Sequence, residues 1–483
     1  MLPEFREFER FSTTAINAYI GPRMERYLDR FLGRLAGLGL TVQPYTIHSN
    51  GGLMSAESVR SFPVRCCLSG PAAGVVGAAA TGRDAGRPDL ITFDAGGTST
   101  DVSLVAGGTP AFASSRSIAD YPVRSPMIDV QVIGAGGGSI AWLDDAGALK
   151  VGPRSAGADP GPVAYGKGAT QPTLTDANIM LHRLDPVSLL GGGMPVDEAA
   201  SRRAIADTIA LPMGLSVEQV ALGIVRIAVA NMSRAIRAVS TERGYDVRDF
   251  ALFAYGGAGP LHAAAVAIEC NMNRVLVPVE PGTMCARGIL LSDVSLDLVR
   301  SEIMAADEAH WPRIVAHFAA MQADGERWLD GERVPADRRR FDRVIDARYQ
   351  GQNHEVQVRL AGDVQLDSFA EAFAAAHRQE YGYDIPGRGI EVVSCRLKAV
   401  GLIDRPKAHF AELNNALRAR TVRQVCFDDG WVETPIYDRA SLAIGIRLSG
   451  PAVIDEMSAT TLLPPGCSVI VDAAGNLLMD VAI

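Results

Sequence analysis

A chain of 483 residues, 48% hydrophobic and 21% charged, is long enough for roughly two to four domains with cores of their own and is neither disordered nor fibrous in composition. Its formal net charge of −9 argues against the broad basic surface that generalised nucleic-acid or anionic-membrane binding needs, so neither partner is expected. No apolar run approaches the about 20 residues of a membrane span. The start of the chain lacks a signal-peptide core, and the seven cysteines are dispersed with no Cys-x-x-Cys pair, so a reducing, cytoplasmic setting is expected.

In chain order, Ser12 to Leu40 reads as helix interrupted at Gly21-Pro22. Tyr45 to His48 reads as a short strand running into the Ser49-Asn-Gly-Gly52 loop. Ser69 to Ala80 is built of small residues, with Gly70, Gly74 and Gly77 at near-helical spacing, a face suited to close helix packing. Residues 90 to 115 predict a strand meander, and Met127 to Ile133 another strand.

The start of that meander carries the strongest chemical signal. Leu90-Ile-Thr-Phe-Asp-Ala-Gly-Gly-Thr-Ser-Thr-Asp101 is an apolar run, a Gly-Gly turn and a second run, with carboxylates at Asp94 and Asp101 and hydroxyls at Thr98, Ser99 and Thr100. Gly96 and Gly97 let backbone amides approach an anion and form a donor nest. The carboxylates would repel a bare phosphate, which implies a divalent cation or a water that needs orienting. The plainer alternative is a Gly-Gly hairpin turn that holds nothing.

Two later segments imitate nucleotide motifs. Gly134-Ala-Gly-Gly-Gly-Ser139 follows a strand, but Asp144-Asp145-Ala-Gly after it predicts a hairpin instead of the helix a dinucleotide fold requires, so the loop is left as a cleft lining. Gly161 to Gly168 nearly matches a P-loop, yet Gly168 stands where the metal-binding hydroxyl belongs and no apolar strand precedes it. Asp159, Asp176 and Asn178 suit either a ligand or turn and helix caps.

Ser216 to Arg243 predicts the clearest helix, opened by a Ser216/Gln219 capping box, with Gly244 as its stop and an Ile and Val stripe for the core. Ala251 to Tyr255 then reads as a strand, Gly256-Gly-Ala-Gly-Pro260 as a turn and Leu261 to Glu269 as helix. Gly256, Gly257, Ala258 and Gly259 can lie against a flat or phosphorylated ligand at the positive end of that helix. Two glycine turns, each fed by a strand, point to one nucleotide cleft. His48 and His262 flank the glycine loops and suit either a ligand or the core. Beyond about residue 300, Ala305 to Val334 and Leu366 to Tyr381 read as helices, Asp342 to Tyr349 and His354 to Leu360 as paired strands, and the chain from Thr421 as short β runs, with Trp431 and Cys467 structural.

Together, Ser49 to Ser55, Ser69 to Gly77, Phe93 to Val102, Ile133 to Ile140, Ser155 to Pro162 and Tyr255-Gly-Gly-Ala-Gly-Pro-Leu-His262 resemble the hydantoinase A/5-oxoprolinase family, which includes N-methylhydantoinase A and acetone carboxylase β subunits. The likeness continues through Arg348 to Gln352, Tyr381 to Tyr383 and Gly450 to Ile454. It implies an α/β chain of the actin/sugar-kinase/Hsp70-like ATPase fold with an α+β C-terminal domain. Carried over by motif, Asp94 to Asp101 is the second phosphate loop, Gly96, Gly97, Thr98 and Ser99 hold phosphate, Asp94 and Asp101 are catalytic, with Asp94 on Mg2+, and Gly256 to Gly259 face adenosine. ATP and Mg2+ are the implied cofactors, and the implied reaction is ATP-dependent opening of a cyclic amide such as 5-oxoproline or a hydantoin. A ketone carboxylase subunit and a catalytically silent nucleotide-binding fragment are the alternatives.

Such a family also implies a first Asp-x-Gly-Gly-Thr loop, and none precedes Asp94. The expected domains are therefore an incomplete first lobe over 1–87, an ATPase lobe over 88–300 and an accessory domain over 301–483. The expected partner is a hydantoinase B-like subunit, and the absent part of the first lobe is expected either from a separate polypeptide or to be missing because the chain is a truncated gene product.

Overall fold

The computed structural model describes residues 7–118, 120–360, 362, 364–404 and 417–482. The chain divides into two compact units, one built from Met1–Ala73, Phe112–Ile128 and Ile289–Pro406, the other from Gly74–Ala111, Asp129–Gly288 and Lys407–Ile483.

The first unit is organised by a six-stranded sheet in the order Tyr45–Ile47, Leu53–Ser55, Val294–Ala305, Ile390–Gly401, Arg339–Tyr349 and Val356–Leu360. Helices Trp311–Gly331 and Leu366–Tyr381 bring Ile314, Phe318, Phe369 and Phe373 into one core with Ile345, Val392 and Leu397. Each such side chain taken from water contributes about 1.5–3 kcal/mol. Helix Glu7–Gly37 runs through Gly21-Pro22, where an interruption is expected from the sequence. It is held on both sides of the proline: the Arg124 amide donates to Thr13 Oγ1 at 2.9 Å, and Leu28 packs with Met54 and Val59. Tertiary contacts outweigh the one backbone bond that proline removes.

The second unit is built on a sheet whose centre comprises β1 (Leu90–Ala95), β2 (Thr100–Ala106), β3 (Val130–Ile133), β4 (Ala251–Tyr255) and β5 (Arg274–Val277), in the order β3-β2-β1-β4-β5. β1 and β2 are antiparallel, as are β2 and β3, whereas β4 runs parallel to both β1 and β5. All five residues of β4 are buried, as expected of a strand covered on both faces. The helices of this unit are α1 (Ser69–Asp84, from Gly74 onward), α2 (Leu174–Met180), α3 (Val217–Val239), α4 (Gly259–Glu269) and α5 (Met284–Leu290, as far as Gly288).

α3 opens with the expected capping box, Gln219 N–H donating to Ser216 Oγ at 3.2 Å and Ser216 N–H to Gln219 Oε1 at 2.9 Å. Its buried stripe, including Ile224, Ala228, Met232 and Ile236, shares one core with Ile91, Phe93, Val102 and Leu104. The glycines of α1 serve close packing: a Cβ on Gly77 would lie 2.6 Å from Met284 Cε and 2.9 Å from Gly288 Cα of α5.

This division differs from the expected three domains. Ile289–Pro406 belong to the first unit because Val294–Ala305 and Ile390–Gly401 pair along their length and Val294 pairs with Leu53. The last strands belong to the second unit because Leu477–Asp480 pairs antiparallel with β5 and extends its sheet. The expected strand over Met127 to Ile133 is broken at Asp129 into Tyr121–Ile128 and β3.

Candidate functional site

The β1–β2 turn is closed by Gly96 N–H donating to the Ser99 carbonyl at 3.0 Å, with Gly97 and Thr98 exposed at its tip. Its carbonyls are held from one side: Gly137 N–H donates to Gly96 O at 3.0 Å and Gly138 N–H to Gly97 O at 2.6 Å. In a trans peptide the C=O and the following N–H point in opposite directions. Pinning these two carbonyls therefore turns the amides of Gly97 and Thr98 away from the Gly136–Gly138 loop, next to each other, as a nest for an anion requires. The loop is itself fixed, since Thr100 Oγ1 donates to Ala135 O at 2.6 Å, and Thr175 N–H and Oγ1 donate to Gly137 O at 2.8 and 2.9 Å. Only glycine fits at 136, where a Cβ would lie 2.8 Å from Gly96 O and 2.9 Å from the carbonyl carbons of Gly97 and Thr98.

The second glycine turn lies beside the first. In the β1/β4 register Tyr255 is opposite Asp94, and in the β1/β2 register Asp94 is opposite Asp101. Ala258 N–H donates to Ala95 O at 2.8 Å, and Gly256 N–H to Pro281 O at 2.9 Å. Gly256 has φ +79°, and a Cβ there would run into Asp94 Oδ1 and lie 2.6 Å from Ala95 O. α4 begins directly after the turn at Gly259. β1 continues to β2 on one side of the sheet and β4 to β5 on the other, so both turns lie at the carboxyl ends of adjacent parallel strands where the topology switches direction. Ligands of open α/β sheets bind at such points.

Asp94, Asp101 and Tyr255 share a sheet face by register, and Cys285 of α5 joins them, its Sγ donating to Asp94 Oδ2 at 3.3 Å. Burial pushes the Asp94 carboxyl above the usual carboxylate range, partly offset by that hydrogen bond. Burial, then the charges of Asp94 and Asp101, push the Cys285 thiol up to about 12. Burial, then Asp94, Cys285 and Asp101, push the Tyr255 phenol well above its ordinary value. The carboxylates are thus bordered by neutral donors and suit a cation. Among the described residues no group of three or more His, Cys, Asp and Glu is arranged to hold a metal. A pair of oxygen ligands fits Mg2+, which keeps most of its waters and completes its shell with substrate phosphates.

Other residues singled out from the sequence lie apart from this pair of turns or are occupied structurally. Gly161 to Gly168 leads into no helix, and the Val163 and Ala164 amides that a phosphate would need donate to Asp176 at 3.1 and 2.8 Å. Asp176 also caps α2 through Thr173 and accepts from Ser201 Oγ at 2.6 Å, so it ties the unit together. Asn178 donates to Leu174 O within the same helix, and Asp159 is exposed. Gly134 to Ser139 leads into the expected hairpin, Ser139–Leu143 with Leu149–Ser155. His262 is buried in α4, its pKa lowered to about 3 by burial and then by Arg183, so its ring is neutral. His48 lies in the first unit, buried with Nε2 3.3 Å from Ser295 O, and burial, Arg65 and Lys398 hold it well below the usual range. The loop after it is filled by its own contacts: Gly52 N–H donates to Asn50 Oδ1, Asn50 Nδ2 donates to Asp297, and Lys398 Nζ donates to Asn50 O.

Sequence reasoning missed the role of Gly136 to Gly138 as the clamp on the hairpin, although the glycine run itself was the available signal. It also missed Cys285, for which no local signal exists, and the place of Tyr255 opposite Asp94, although Tyr255 itself opens the Gly256 motif.

Residues 10–298 match the Hydantoinase/oxoprolinase family and residues 307–479 the Hydantoinase/oxoprolinase C-terminal domain. Caprolactamase subunit alpha of Pseudomonas jessenii is 37% identical over 99% of this chain and 70% of that protein. 5-Oxoprolinase 1 of Arabidopsis thaliana is 30% identical over 100% of this chain but only 39% of its own length. Among solved structures, the ATP-dependent caprolactamase from Pseudomonas jessenii superposes with a TM-score of 0.89 at 35% identity, covering 99% of this chain and 71% of that one. A nucleotide-free acetone carboxylase structure superposes with a TM-score of 0.78 at 26% identity, covering 99% and 70%.

Proposed function

Since the chain belongs to the hydantoinase/oxoprolinase family, we propose that it is the ATP-using subunit of an enzyme that opens a cyclic amide of the lactam, 5-oxoproline or hydantoin type. The observation that carries this reading is the pinning of the Gly96 and Gly97 carbonyls by Gly137 and Gly138, which leaves the adjacent Gly97 and Thr98 amides turned away from that loop. The adjoining Gly256 to Gly259 turn, at the same switch point, supports a nucleotide with its phosphates at the hairpin and its nucleoside along β4. This arrangement, with the superposition on an ATP-dependent caprolactamase, supports the actin-like ATPase reading of the fold.

An amide carbon resists water because its nitrogen feeds the carbonyl and is a poor leaving group. Bound with Mg2+, ATP would supply a phosphoryl group to the amide oxygen, which draws electrons from the carbon so that water adds there; the C–N bond then breaks as its nitrogen takes a proton, and hydrolysis of the acyl phosphate left behind gives the carboxylate and phosphate. In this scheme the Gly97 and Thr98 amides and the Thr98 and Ser99 hydroxyls bind the transferred phosphate's oxygens. Asp94 and Asp101 orient the cation's waters, and with its raised pKa Asp94 can take a proton from an attacking water. A hydantoinase B-like subunit is the proposed partner, in keeping with a relative that is named as a subunit.

The likeness to an acetone carboxylase favours one second reading, an ATP-binding subunit of a ketone carboxylase. Phosphate release from ATP, measured with caprolactam, 5-oxoproline, hydantoin, or a ketone plus bicarbonate, with and without the candidate partner subunits, tests both. Release driven only by ketone plus bicarbonate would replace the first reading with the second. No release with any of them, partners included, would end both.

A further inference from the structure

The Cys285 thiol is held at the carboxylate. Its S–H donates to Asp94 Oδ2 at 3.3 Å, and Gly74 of α1 packs close against the sulfur. Gly74 has no alternative there: a Cβ would lie 2.6 Å from the Tyr255 hydroxyl and 3.0 Å from Cys285 Sγ. The close packing of Gly77 on Met284 and Gly288 sets α5 at the depth that brings Cys285 to the carboxylate. Asp94 Oδ1 meanwhile lies against Gly256, in the space a side chain would fill.

We propose that Cys285 is a positioning residue for Asp94, engaging Oδ2 so that the carboxylate works through Oδ1 alone. The inference rests on the nucleotide reading of the hairpin. A carboxylate free to rotate can offer either or both oxygens to a cation or a water, and only some of those geometries suit a phosphate held at Gly97 and Thr98. One fixed oxygen removes that choice before substrate arrives. Losing an outer-shell partner of this kind typically costs about 10- to 100-fold in metal affinity or activity.

Two measurements on the full chain test this separately from the reading it rests on. The infrared S–H stretch of Cys285, isolated as the difference between wild type and Cys285→Ser, is expected to be that of a hydrogen-bonded thiol and to move to the free-thiol position in Asp94→Ala. A band unmoved by Asp94→Ala would overturn the contact and the inference, whatever the protein binds. Calorimetric titration with ATP at varied Mg2+ is then expected to show that Cys285→Ala needs about 10-fold more Mg2+ or beyond, with Cys285→Ser, which keeps an O–H donor, close to wild type. Equal Mg2+ dependence in all three would overturn the positioning role. Absence of Mg-ATP binding by wild type, with the infrared shift present, would overturn the nucleotide reading and the positioning role with it. If Cys285→Ala does not fold, Cys285→Val, which also lacks a donor, replaces it under the same criteria.

Discussion

The Gly138 amide donates to the Gly97 carbonyl at 2.6 Å, and through that bond a loop some forty residues downstream decides where the hairpin tip aims its amides. Two substitutions separate this clamp from the tip. Gly136→Ala drives a methyl into the Gly96 and Gly97 backbone and should cost about 1–3 kcal/mol of stability, as overpacking does. Gly97→Ala meets nothing within 4 Å and should leave stability within about 0.5 kcal/mol while weakening ATP binding, because the methyl sits at the mouth of the nest. Urea midpoints and calorimetric ATP titrations check the pair. A Gly97→Ala variant that binds ATP like wild type would count against the nest.

Asp94→Asn should abolish substrate-dependent phosphate release while sparing the fold. Burial disfavours the charged form of Asp94, so a neutral amide of the same shape is neutral or stabilising in the empty protein. The loss is therefore expected in turnover and not in the thermal midpoint. Unaltered turnover would remove Asp94 from the site.

Gly256→Ala joins two penalties: φ +79° strains a side chain, and the Cβ would strike Asp94 Oδ1 and Ala95 O. A loss of about 1–3 kcal/mol is expected in chemical denaturation, together with weaker ATP binding. Stability and binding both unchanged would show that the two turns are not coupled as the β1/β4 register implies.

Both halves of the site are legible in the sequence because each is local. A β run, two glycines and a β run dictate the hairpin at 90–106, and a strand, glycine turn and helix dictate 251–269. Their adjacency is inferable only from their order. What is not legible is non-local: Cys285 reaches Asp94 across 191 residues, and nothing near Cys285 distinguishes it from a core cysteine. Glycine itself hides the clamp, since Gly136 to Gly138 act through backbone amides and absent side chains. The make-up of the two compact units is non-local for the same reason, because sheet pairing joins Val294 to Leu53 and Leu477 to Val277 across long stretches of chain.

Asp176 separates a ligand role from a structural one. Its carboxylate accepts from the amides of Val163, Ala164 and Thr173 and from the hydroxyls of Thr173 and Ser201, all buried. Removing one partner orphans several donors, each costing about 1–3 kcal/mol. Asp176→Ala should therefore lower stability by at least about 2 kcal/mol, with little change in the ATP affinity of the protein that still folds. A selective loss of ATP affinity at unchanged stability would return Asp176 to the list of ligands.

Glu456 gives the unit containing β1 and β4 a pH dependence of stability. Burial raises its carboxyl from 4.5 to about 7, against the lowering effect of Arg439, whose Nε is 3.6 Å away, and of the hydrogen bond from Glu280 N–H. A carboxyl whose folded pKa lies above its unfolded one binds more protons in the folded state. Its contribution is therefore complete below about pH 4.5 and is lost as pH rises toward 7. Unfolding free energies in urea should fall across this window in wild type, and the fall should be smaller in Glu456→Gln, which cannot ionise. Parallel curves for the two proteins would mean that Arg439 keeps Glu456 charged throughout, and that burial is the weaker of the two effects.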